Sequence, residues 1–229
     1  MASIFDPFFL TNRSLRREIR ELGRPMRGLL VDIGCGTRPY QSCFPDAEYL
    51  GIEVPQGSLH GSAKRADLYF DGLHIPIRDG SASHVLCTQV LEHVFEPDEF
   101  LREVFRILAP GGTLLLTVPF VWDEHEQPYD YARYSSFGLR YLARRHDFLV
   151  VTAHRTLADT SLFAQLWLAY LFKVLRPLPG SIRKPLLAAM SMPTNVAGLV
   201  LGKLLPSSPD LYLDNVMVWA KDRPAGELP

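Results

Sequence analysis

The stretch Leu29–Tyr40, with the sequence LLVDIGCGTRPY, decides the fold of this chain. A short apolar run ends at Asp32, and Gly34 and Gly36 follow with one residue between them. The apolar run predicts a buried strand. The glycines predict a tight loop at its carboxyl end, because glycine adopts backbone angles that other residues rarely reach and lets a ligand approach the main chain. Asp32 would stand at the mouth of that loop, where its carboxylate can accept hydrogen bonds from a bound polar group.

A second predicted strand, Glu48–Val54, ends at Glu53. An acidic residue about 20 positions beyond the first glycine is where open α/β sheets hold a ribose by its hydroxyls. A carboxylate suits this task because it can accept hydrogen bonds from two adjacent hydroxyls. The alternative interpretation of Glu53 is a solvated strand end.

Strand and helix patterns alternate between Leu29 and Val118. His84–Thr88 predicts a buried strand, an amphipathic helix follows Glu96, and the unbroken apolar run Thr113–Val118 is typical of a central parallel strand. This alternation predicts an open parallel sheet with helices on both faces, which binds its ligands at the carboxyl ends of the strands. Four features fall at those ends: Asp32, Glu53, Asp71 and the loop Thr88–His93.

These residues together resemble the class I S-adenosylmethionine-dependent methyltransferases that act on small molecules. The resemblance covers roughly Leu29–Phe148. It rests on VDIGCG at 31–36, on Glu53, on Asp71 ahead of LHIPI, and on TQVLEHVFEPDEFLREVFRILAPGGTLLLTVPF at 88–120. It implies an α/β, Rossmann-like open sheet of seven strands with the last strand antiparallel and helices on both faces. It also implies S-adenosylmethionine as the cofactor.

The resemblance implies roles for individual residues as well. Glu53 would hold the ribose and Asp71 the adenine amino group, with Asp67 as a competitor for that role; we prefer Asp71 for its distance from Ile75–Pro76. We expect the cofactor to contact Asp32, Gly34, Cys35, Gly36, Glu53, Val54, Asp71, Gly72, Leu73, Thr88 and Gln89.

Two features depart from related patterns. Pro39 stands where a dinucleotide-binding fingerprint has its third glycine, which makes nicotinamide-dependent chemistry a distant alternative. The segment between the first two strands also leaves little room for the usual first helix of the family.

Composition is that of an ordinary globular protein. The 229 residues are 47% hydrophobic and 21% charged, and the net charge of −1 gives no basic excess for nucleic-acid binding. Cys35, Cys43 and Cys87 lack metal-ligand spacing, which favours a reducing, cytoplasmic setting. The amino terminus has no basic segment ahead of its apolar residues and is a poor signal peptide.

Methyl transfer from a sulfonium is a direct displacement that needs alignment and, for some acceptors, removal of a proton. Two histidines follow predicted strands at the carboxyl edge. His93 stands next to Glu92, and an imidazole is the side chain suited to accept a proton near neutral pH, although this Glu-His pair is often structural in the family. His125 lies in the loop Trp122–Ser136, and we favour it as the general base.

The loop Trp122–Ser136 is dense in side chains that hold polar substrates. The matching loop in related methyltransferases lies over the substrate, so we expect substrate contacts from Trp122, Asp130, Arg133 and Tyr134. Asp130 and Arg133 could instead pair with each other to hold the loop. Asp123, His125 and Glu126 match no dedicated ligand motif, and we expect no metal.

We predict three parts: an N-terminal helical arm at 1–27, a methyltransferase domain at 28–155 and 211–222, and an apolar helical insert at 156–210. Arg13–Leu22 has helical periodicity. Ser135-Ser136 could cap a helix through Arg145, and strands are predicted at Phe148–Ala153 and Leu213–Ala220. The insert contains SLFAQLWLAYLFKVL, the Pro/Arg-rich RPLPGSIRKP, and further apolar stretches at 186–190 and 196–205.

An apolar insert of this length must bury its surface. It could cap the active site, pair with a second subunit in a homodimer, or contact a membrane surface, where Arg176, Arg183 and Lys184 would suit anionic head groups. We expect a cytoplasmic methyltransferase, with membrane-peripheral contact left open, that acts on an oxygen or nitrogen of a small molecule, saccharide or lipid-linked acceptor. The alternative is a catalytically silent protein that binds S-adenosylmethionine and serves as an interaction scaffold.

Overall fold

A seven-stranded sheet is the centre of the computed structural model, which describes residues 3–55 and 65–222. The strand order is β3-β2-β1-β4-β5-β7-β6; β1 to β5 are parallel and the last strands are antiparallel. The predicted α/β fold is therefore confirmed. The strands are β1 Gly28–Ile33, β2 Ala47–Glu53, β3 Leu68–Tyr69, β4 Ala82–Thr88, β5 Leu108–Pro119, β6 Phe148–Arg155 and β7 Asp214–Lys221.

The described residues also form five α-helices: α1 Phe9–Gly23, α2 Pro97–Ile107, α3 Ser136–Arg145, α4 Ser161–Val174 and α5 Gly180–Leu204. Helix α2 begins with a proline and two acidic residues in its first turn, as predicted, because proline is tolerated there and acidic groups favour the positive end of the helix dipole. Helix α3 is capped by the Ser135 hydroxyl, which accepts a hydrogen bond from the Gly138 amide at 3.2 Å. A short 3₁₀ turn, Gln41–Cys43, stands in the short segment between β1 and β2.

Strand β5 differs from its predicted start at Thr113. It begins at Leu108, directly after α2, and Leu108 pairs with Ala82 of β4. The residues 109–112 form an irregularity, and regular pairing resumes where Thr113 meets His84. The predicted start was wrong because Ala109–Gly112, although rich in proline and glycine, does not form a loop: the chain continues from α2 straight into an irregular strand.

The core lies between the central strands and α2. The inward residues of α2, Phe100, Leu101, Val104 and Ile107, are buried together with residues of β1, β4 and β5. Farther along the sheet, Trp219 of β7 packs against Phe148 of β6 with ring centroids 5.6 Å apart. These contacts fix the carboxyl ends of the parallel strands, where the candidate site lies.

The chain divides into two compact units. One holds residues 18–154 and 215–229, and with them most of the sheet; the other holds residues 1–17 and 155–214. In the second unit, the buried Gln165 amide donates to Pro7 O at 3.0 Å and accepts from the Thr11 amide at 3.1 Å. Buried Asn195 donates to the carbonyls of Ile4 and Asp6. The N-terminal segment thus belongs with the insert.

Helix α5 runs continuously through the two apolar stretches of the insert, with Pro185 and Pro193 inside it. Leu187 of α5 packs against Leu168 and Leu171 of α4. By length and composition α5 could cross a membrane, and in the described part of the chain it is the one helix that passes this test. Only 22% of its apolar window is buried within the structure, so much of its apolar surface is exposed.

Candidate active site

The glycine loop after β1 is tied to the end of β2. Gly34 and Gly36 both have positive φ, at 72° and 50°, which explains the need for glycine. The Glu53 carboxylate accepts from the amide of Gly36 at 2.9 Å through Oε2 and from the amide of Val54 at 3.0 Å through Oε1. Each carboxylate oxygen can accept a further hydrogen bond, so Glu53 can order the loop and still bind hydroxyls.

Asp32 lies buried on β1, just before the loop. Its Oδ2 accepts a hydrogen bond from the Tyr49 hydroxyl, and its Oδ1 has no hydrogen-bond partner among residues 3–55 and 65–222. Burial raises the pKa of Asp32 to about 7; the charge of Glu53 adds to this, and the Tyr49 hydrogen bond opposes it. The site therefore contains a buried carboxyl oxygen that a ligand could satisfy.

The two candidate adenine acids differ in their partners. The Asp67 carboxylate forms an ion pair with Arg38 at 2.6 Å and accepts from the Gly51 amide at 2.8 Å. Asp71 lies beyond β3 with an exposed side chain; its Oδ1 accepts from the amides of Leu73 and His74. Asp71 Oδ2 lies 2.9 Å from His74 Nδ1, so both acids are bonded within the chain. The preference for Asp71, with Gly72 and Leu73 forming its turn, stays a prediction.

The loop after β4 touches the glycine loop. A Cβ placed on Gly34 would lie 2.4 Å from Val90 Cγ2, so this approach allows no side chain. Gln89, at φ 55°, donates its amide to Thr117 O at 2.9 Å and its side chain to the Thr117 hydroxyl at 3.2 Å, while Thr88 pairs with Thr117 across the strands. In the glycine loop itself, Cys35 is buried, and burial raises the pKa of its thiol to about 11.

The two candidate catalytic histidines come together. The rings of His93 and His125 meet edge to face with centroids 4.8 Å apart, next to the fully buried Glu92. His93 Nδ1 lies 2.7 Å from the Tyr129 carbonyl oxygen, which can only accept, so Nδ1 carries the proton and Nε2 the lone pair. This Nε2 is 3.9 Å from Glu92 Oε1.

His125 is held in the same way. Its Nδ1 is 3.2 Å from both Asp130 Oδ2 and the Asp123 carbonyl oxygen, which are acceptors, whereas the Arg133 donor Nη2 lies farther away at 3.4 Å. The two closer acceptors place the proton on Nδ1 and leave the lone pair on Nε2. Burial, followed by the charge of His93, lowers the pKa of His125, so this imidazole is neutral at pH 7.

Asp130 and Arg133 pair with each other. Arg133 donates to both oxygens of Asp130 at 2.6 Å and to the carbonyl oxygens of Trp122 and Asp123. Burial of Asp130 opposes its ionisation, but the hydrogen bonds from Arg133 and from the His125 amide outweigh burial and lower its pKa to about 2. This ion pair holds the loop around His125. Such a pairing is the alternative to direct substrate contact that the spacing of Asp130 and Arg133 left open. Their role in substrate binding stays a prediction.

Tyr134 and Trp122 flank this ion pair. Tyr134 is half-buried against the core, and its carbonyl accepts from Asn215 at 2.9 Å. Burial, followed by the charge of Glu92, raises the pKa of the Tyr134 phenol. The phenol therefore stays protonated at neutral pH and can donate a hydrogen bond to an acceptor molecule. That contact, and the one predicted for Trp122, stay predictions.

Sequence reasoning missed three partners. Tyr49 binds Asp32, Arg38 closes the far side of the glycine loop through Asp67, and the Tyr129 carbonyl orients His93. Arg38 carries a detectable signal, since a charged residue inside a glycine loop, at φ 60°, needs an acidic partner nearby. A main-chain carbonyl such as that of Tyr129 leaves no sequence signal.

Residues 31–116 match the model of a family described as a methyltransferase domain. The matched segment, a little over a third of the chain, supports a class I methyltransferase domain there. S-adenosylmethionine is the cofactor of that family, so the predicted fold, family and cofactor are confirmed for the domain.

Relatives extend the comparison. An uncharacterized methyltransferase of Mycolicibacterium gilvum is 34% identical over 109 residues, which are 44% of this chain and 42% of that protein. The chain thus spans about two fifths of the curated relatives it matches. Among solved structures, the [4+2]-cyclase SpnF aligns over 93% of this chain and 82% of its own, with a TM-score of 0.59 and 19% identity. Phosphoethanolamine N-methyltransferase 2 of Haemonchus contortus, solved with S-adenosylhomocysteine, aligns over 91% of this chain and 52% of its own, with a TM-score of 0.57 and 14% identity.

The residues at the domain's edge fit S-adenosylmethionine. A Cβ on Gly36 would meet no atom within 4 Å, so the loop borders open space that a ligand can fill. Glu53 stands at that loop with carboxylate oxygens able to take ribose hydroxyls. The buried Oδ1 of Asp32 offers an acceptor for a cationic or hydroxyl group of the ligand.

Replacing Glu53 by Ala should weaken S-adenosylhomocysteine binding by about 10- to 100-fold, because hydrogen bonds to a charged acceptor are lost and the Gly36 amide loses its partner. Isothermal titration calorimetry measures this. Glu48→Ala, at an exposed position on the same strand, is the matched control and should bind as the wild type does. Equal affinity of Glu53→Ala and the wild type would remove Glu53 from the site.

Replacing Asp32 by Asn should change how stability depends on pH. The Asp32 carboxyl has a pKa of 3.8 when unfolded and about 7 when folded, so the native state binds more protons between these values. The free energy of unfolding of the wild type should therefore fall as pH rises from about 4 to about 7, by a few kcal/mol at most. Asp32→Asn, which mimics the neutral acid, should lose this fall.

Urea unfolding of the ligand-free protein at several pH values measures the effect. Asp210→Asn, at an exposed position, is the control and should keep the wild-type slope. A wild-type stability that rises over this range while Asp32→Asn matches it would contradict the raised pKa.

Proposed function

We propose that this protein is an S-adenosylmethionine-dependent methyltransferase that acts on an oxygen or nitrogen of a polar acceptor. The observation that carries the proposal is the pair of oriented imidazoles, His93 and His125, which meet edge to face beyond the loop that contacts the glycine loop. The glycine loop contacts the loop after β4 through Gly34 and Val90. A methyl donor bound at the glycine loop would therefore lie near the histidines beyond β4. A cofactor site alone would not require ordered proton acceptors beside it.

S-adenosylmethionine supplies a methyl group activated by a sulfonium sulfur. The chain's residues would do the remaining work. Glu53 and Asp32 bind and orient the donor, and the Asp130–Arg133 ion pair holds His125 in place. The lone pair on Nε2 of His93 or His125 can accept the proton that a hydroxyl or ammonium acceptor must lose. Tyr134 and Trp122, on the loop that carries His125, would contact the acceptor.

The transfer is tested with methyl-labelled S-adenosylmethionine on an extract of the source organism, fractionated into lipid, polysaccharide and soluble pools. We expect label to enter one pool, and Glu53→Ala to lower its amount by at least about 10-fold, in line with the loss of donor binding. His154→Ala, at an exposed histidine on β6 that pairs with Glu18, is the control. Confirmed donor binding with no label in any pool would overturn the enzyme and support the scaffold.

We further propose that the second compact unit, residues 1–17 and 155–214, binds the surface of an anionic membrane. This would bring a lipid-linked acceptor to a cytoplasmic enzyme. On α4 four exposed side chains recur at helical spacing and form one stripe: Phe163, Trp167, Tyr170 and Val174. Trp167 and Tyr170 stack with centroids 5.6 Å apart. Tryptophan and tyrosine are enriched at membrane interfaces because one end of each ring is apolar and the other polar.

The basic side chains near this surface also support an anionic membrane as its partner. Arg176, Arg183 and Lys184 follow the stripe along the chain, where α4 ends and α5 begins. On α5 the exposed residues Val196, Val200 and Leu204 recur every four positions. Basic groups next to an exposed apolar face fit an anionic bilayer better than a second copy of the chain, whose own basic groups would face them. The overall charge of −1 gives no comparable support for a nucleic-acid partner.

Sedimentation with vesicles tests the membrane surface. We expect binding to vesicles that contain anionic lipid, weaker binding in high salt, and a loss of several-fold in Trp167→Ser/Tyr170→Ser because interfacial aromatic area is removed. Phe137→Ser/Tyr141→Ser, two exposed aromatic residues of α3, is the matched control. If the wild type ignores vesicles and instead forms a dimer that the α4 variant abolishes, the surface is a subunit interface and the membrane proposal is wrong.

A further inference from the structure

We propose that Glu92, His93 and His125 form a binding site for one divalent transition-metal ion, with coordination positions left open for an oxygen acceptor. The proposal deepens the proposed function and rests on it for the role of the ion, although binding of the ion is testable without any methyl donor. One candidate ligand atom from each of the three side chains lies within 4.8 Å of the others. The sequence predicted no metal, because the set it offered, Asp123, His125 and Glu126, matches no dedicated ligand motif.

The three side chains form a ligand set of known preference. Two imidazoles and one carboxylate bind Zn²⁺, Fe²⁺ and Co²⁺, and three protein ligands leave positions for water or substrate. Ligand atoms that share an ion at about 2.0–2.2 Å lie roughly 3–4 Å apart, so a small closure of the cluster would complete the site. Glu92 is fully buried, which places its carboxylate charge where a cation would be strongly attracted.

The groups that bond the other ring nitrogen of each histidine supply an independent observation. Histidines that bind metals almost always donate their other ring N–H to a carbonyl or carboxylate, which fixes the tautomer and turns the lone pair to the ion. Both histidines have this arrangement: His93 Nδ1 faces the Tyr129 carbonyl at 2.7 Å, and His125 Nδ1 faces Asp130 and the Asp123 carbonyl at 3.2 Å. Arg133 in turn fixes Asp130 through two hydrogen bonds.

The other histidines of the described chain lie outside any such cluster. His84 bonds the Thr113 hydroxyl, and His74, His146 and His154 each pair with a single carboxylate away from this cluster. None of them belongs to a group of three ligand side chains among residues 3–55 and 65–222. The arrangement at His93 and His125 is therefore particular to the candidate active site.

The position of the ion defines its role. A hydroxyl oxygen of the acceptor would bind an open position, and the ion would lower the pKa of that hydroxyl, whose proton passes to bulk water. The oxygen then forms a bond to the methyl carbon while the bond from that carbon to sulfur breaks, and the electron pair stays on sulfur. With the ion bound, the two imidazoles act as ligands rather than as proton acceptors. The substrate class is thus an oxygen acceptor.

Binding is measured first on the full-length, tag-free protein after removal of metals with a chelator. Titration with Co²⁺ should produce the visible absorption of a nitrogen- and oxygen-ligated ion, saturating at one ion per chain, and Zn²⁺ should displace it in calorimetry. Glu92→Gln, His93→Ala and His125→Ala should each lower the affinity by more than about 10-fold. His154→Ala is the control and should bind the ion as the wild type does.

S-adenosylhomocysteine binding by each variant confirms that it is folded. If the wild-type protein gives no Co²⁺ absorption, the metal site is overturned, whatever the variants do. If a variant that combines Glu92→Gln, His93→Ala and His125→Ala still binds the ion, the ion is an adventitious ion only and the metal site is likewise overturned. Once the acceptor pool is known, the chelated enzyme should lose methyl transfer and regain it with added ion. Full activity without metal would overturn the inference while leaving the proposed methyltransferase intact.

Discussion

The close approach of Gly34 to Val90 is the constraint on which the rest of the site depends. A side chain at Gly34 would collide with Val90 at 2.4 Å, so the glycine loop and the loop after β4 can meet only because one of them has no side chain there. That contact brings the glycine loop at the ends of β1 and β2 next to the loop after β4, which leads into the histidine cluster. The positive φ of Gly34 and the Glu53–Gly36 hydrogen bond hold the loop in this position.

Much of this arrangement could be predicted from the sequence because it follows from strand order. Parallel strands present their carboxyl ends at one edge, so Asp32, Glu53, Asp71 and His93 were expected to converge there. The edge-to-face meeting of His93 and His125 was not predictable. It depends on an irregular loop, and the carbonyl that orients His93 belongs to Tyr129, whose side chain is irrelevant to the contact.

Two other contacts that the sequence did not predict also have physical causes. Tyr49 reaches Asp32 because it lies on the neighbouring strand, two positions before Gly51, the residue paired with Asp32. Only the register between the strands reveals this. The association of residues 1–17 with the insert depends on two buried amides, Gln165 and Asn195, whose partners are main-chain carbonyls and an amide more than 150 positions away. The apolar stretches predicted a helical insert but could not identify which other segment its helices bind.

The prolines of α5 have a consequence for the water around that helix. Proline has no amide hydrogen, so Pro185 and Pro193 cannot donate to the carbonyls four residues earlier, those of Ser181 and Ala189. Carbonyls released in this way need another donor, and lipid hydrocarbon supplies none. A helix lying along an interface keeps them hydrated, whereas the same helix inserted across a bilayer would have to dehydrate them. The backbone of α5 is thus better suited to the boundary between water and lipid than to the hydrocarbon interior.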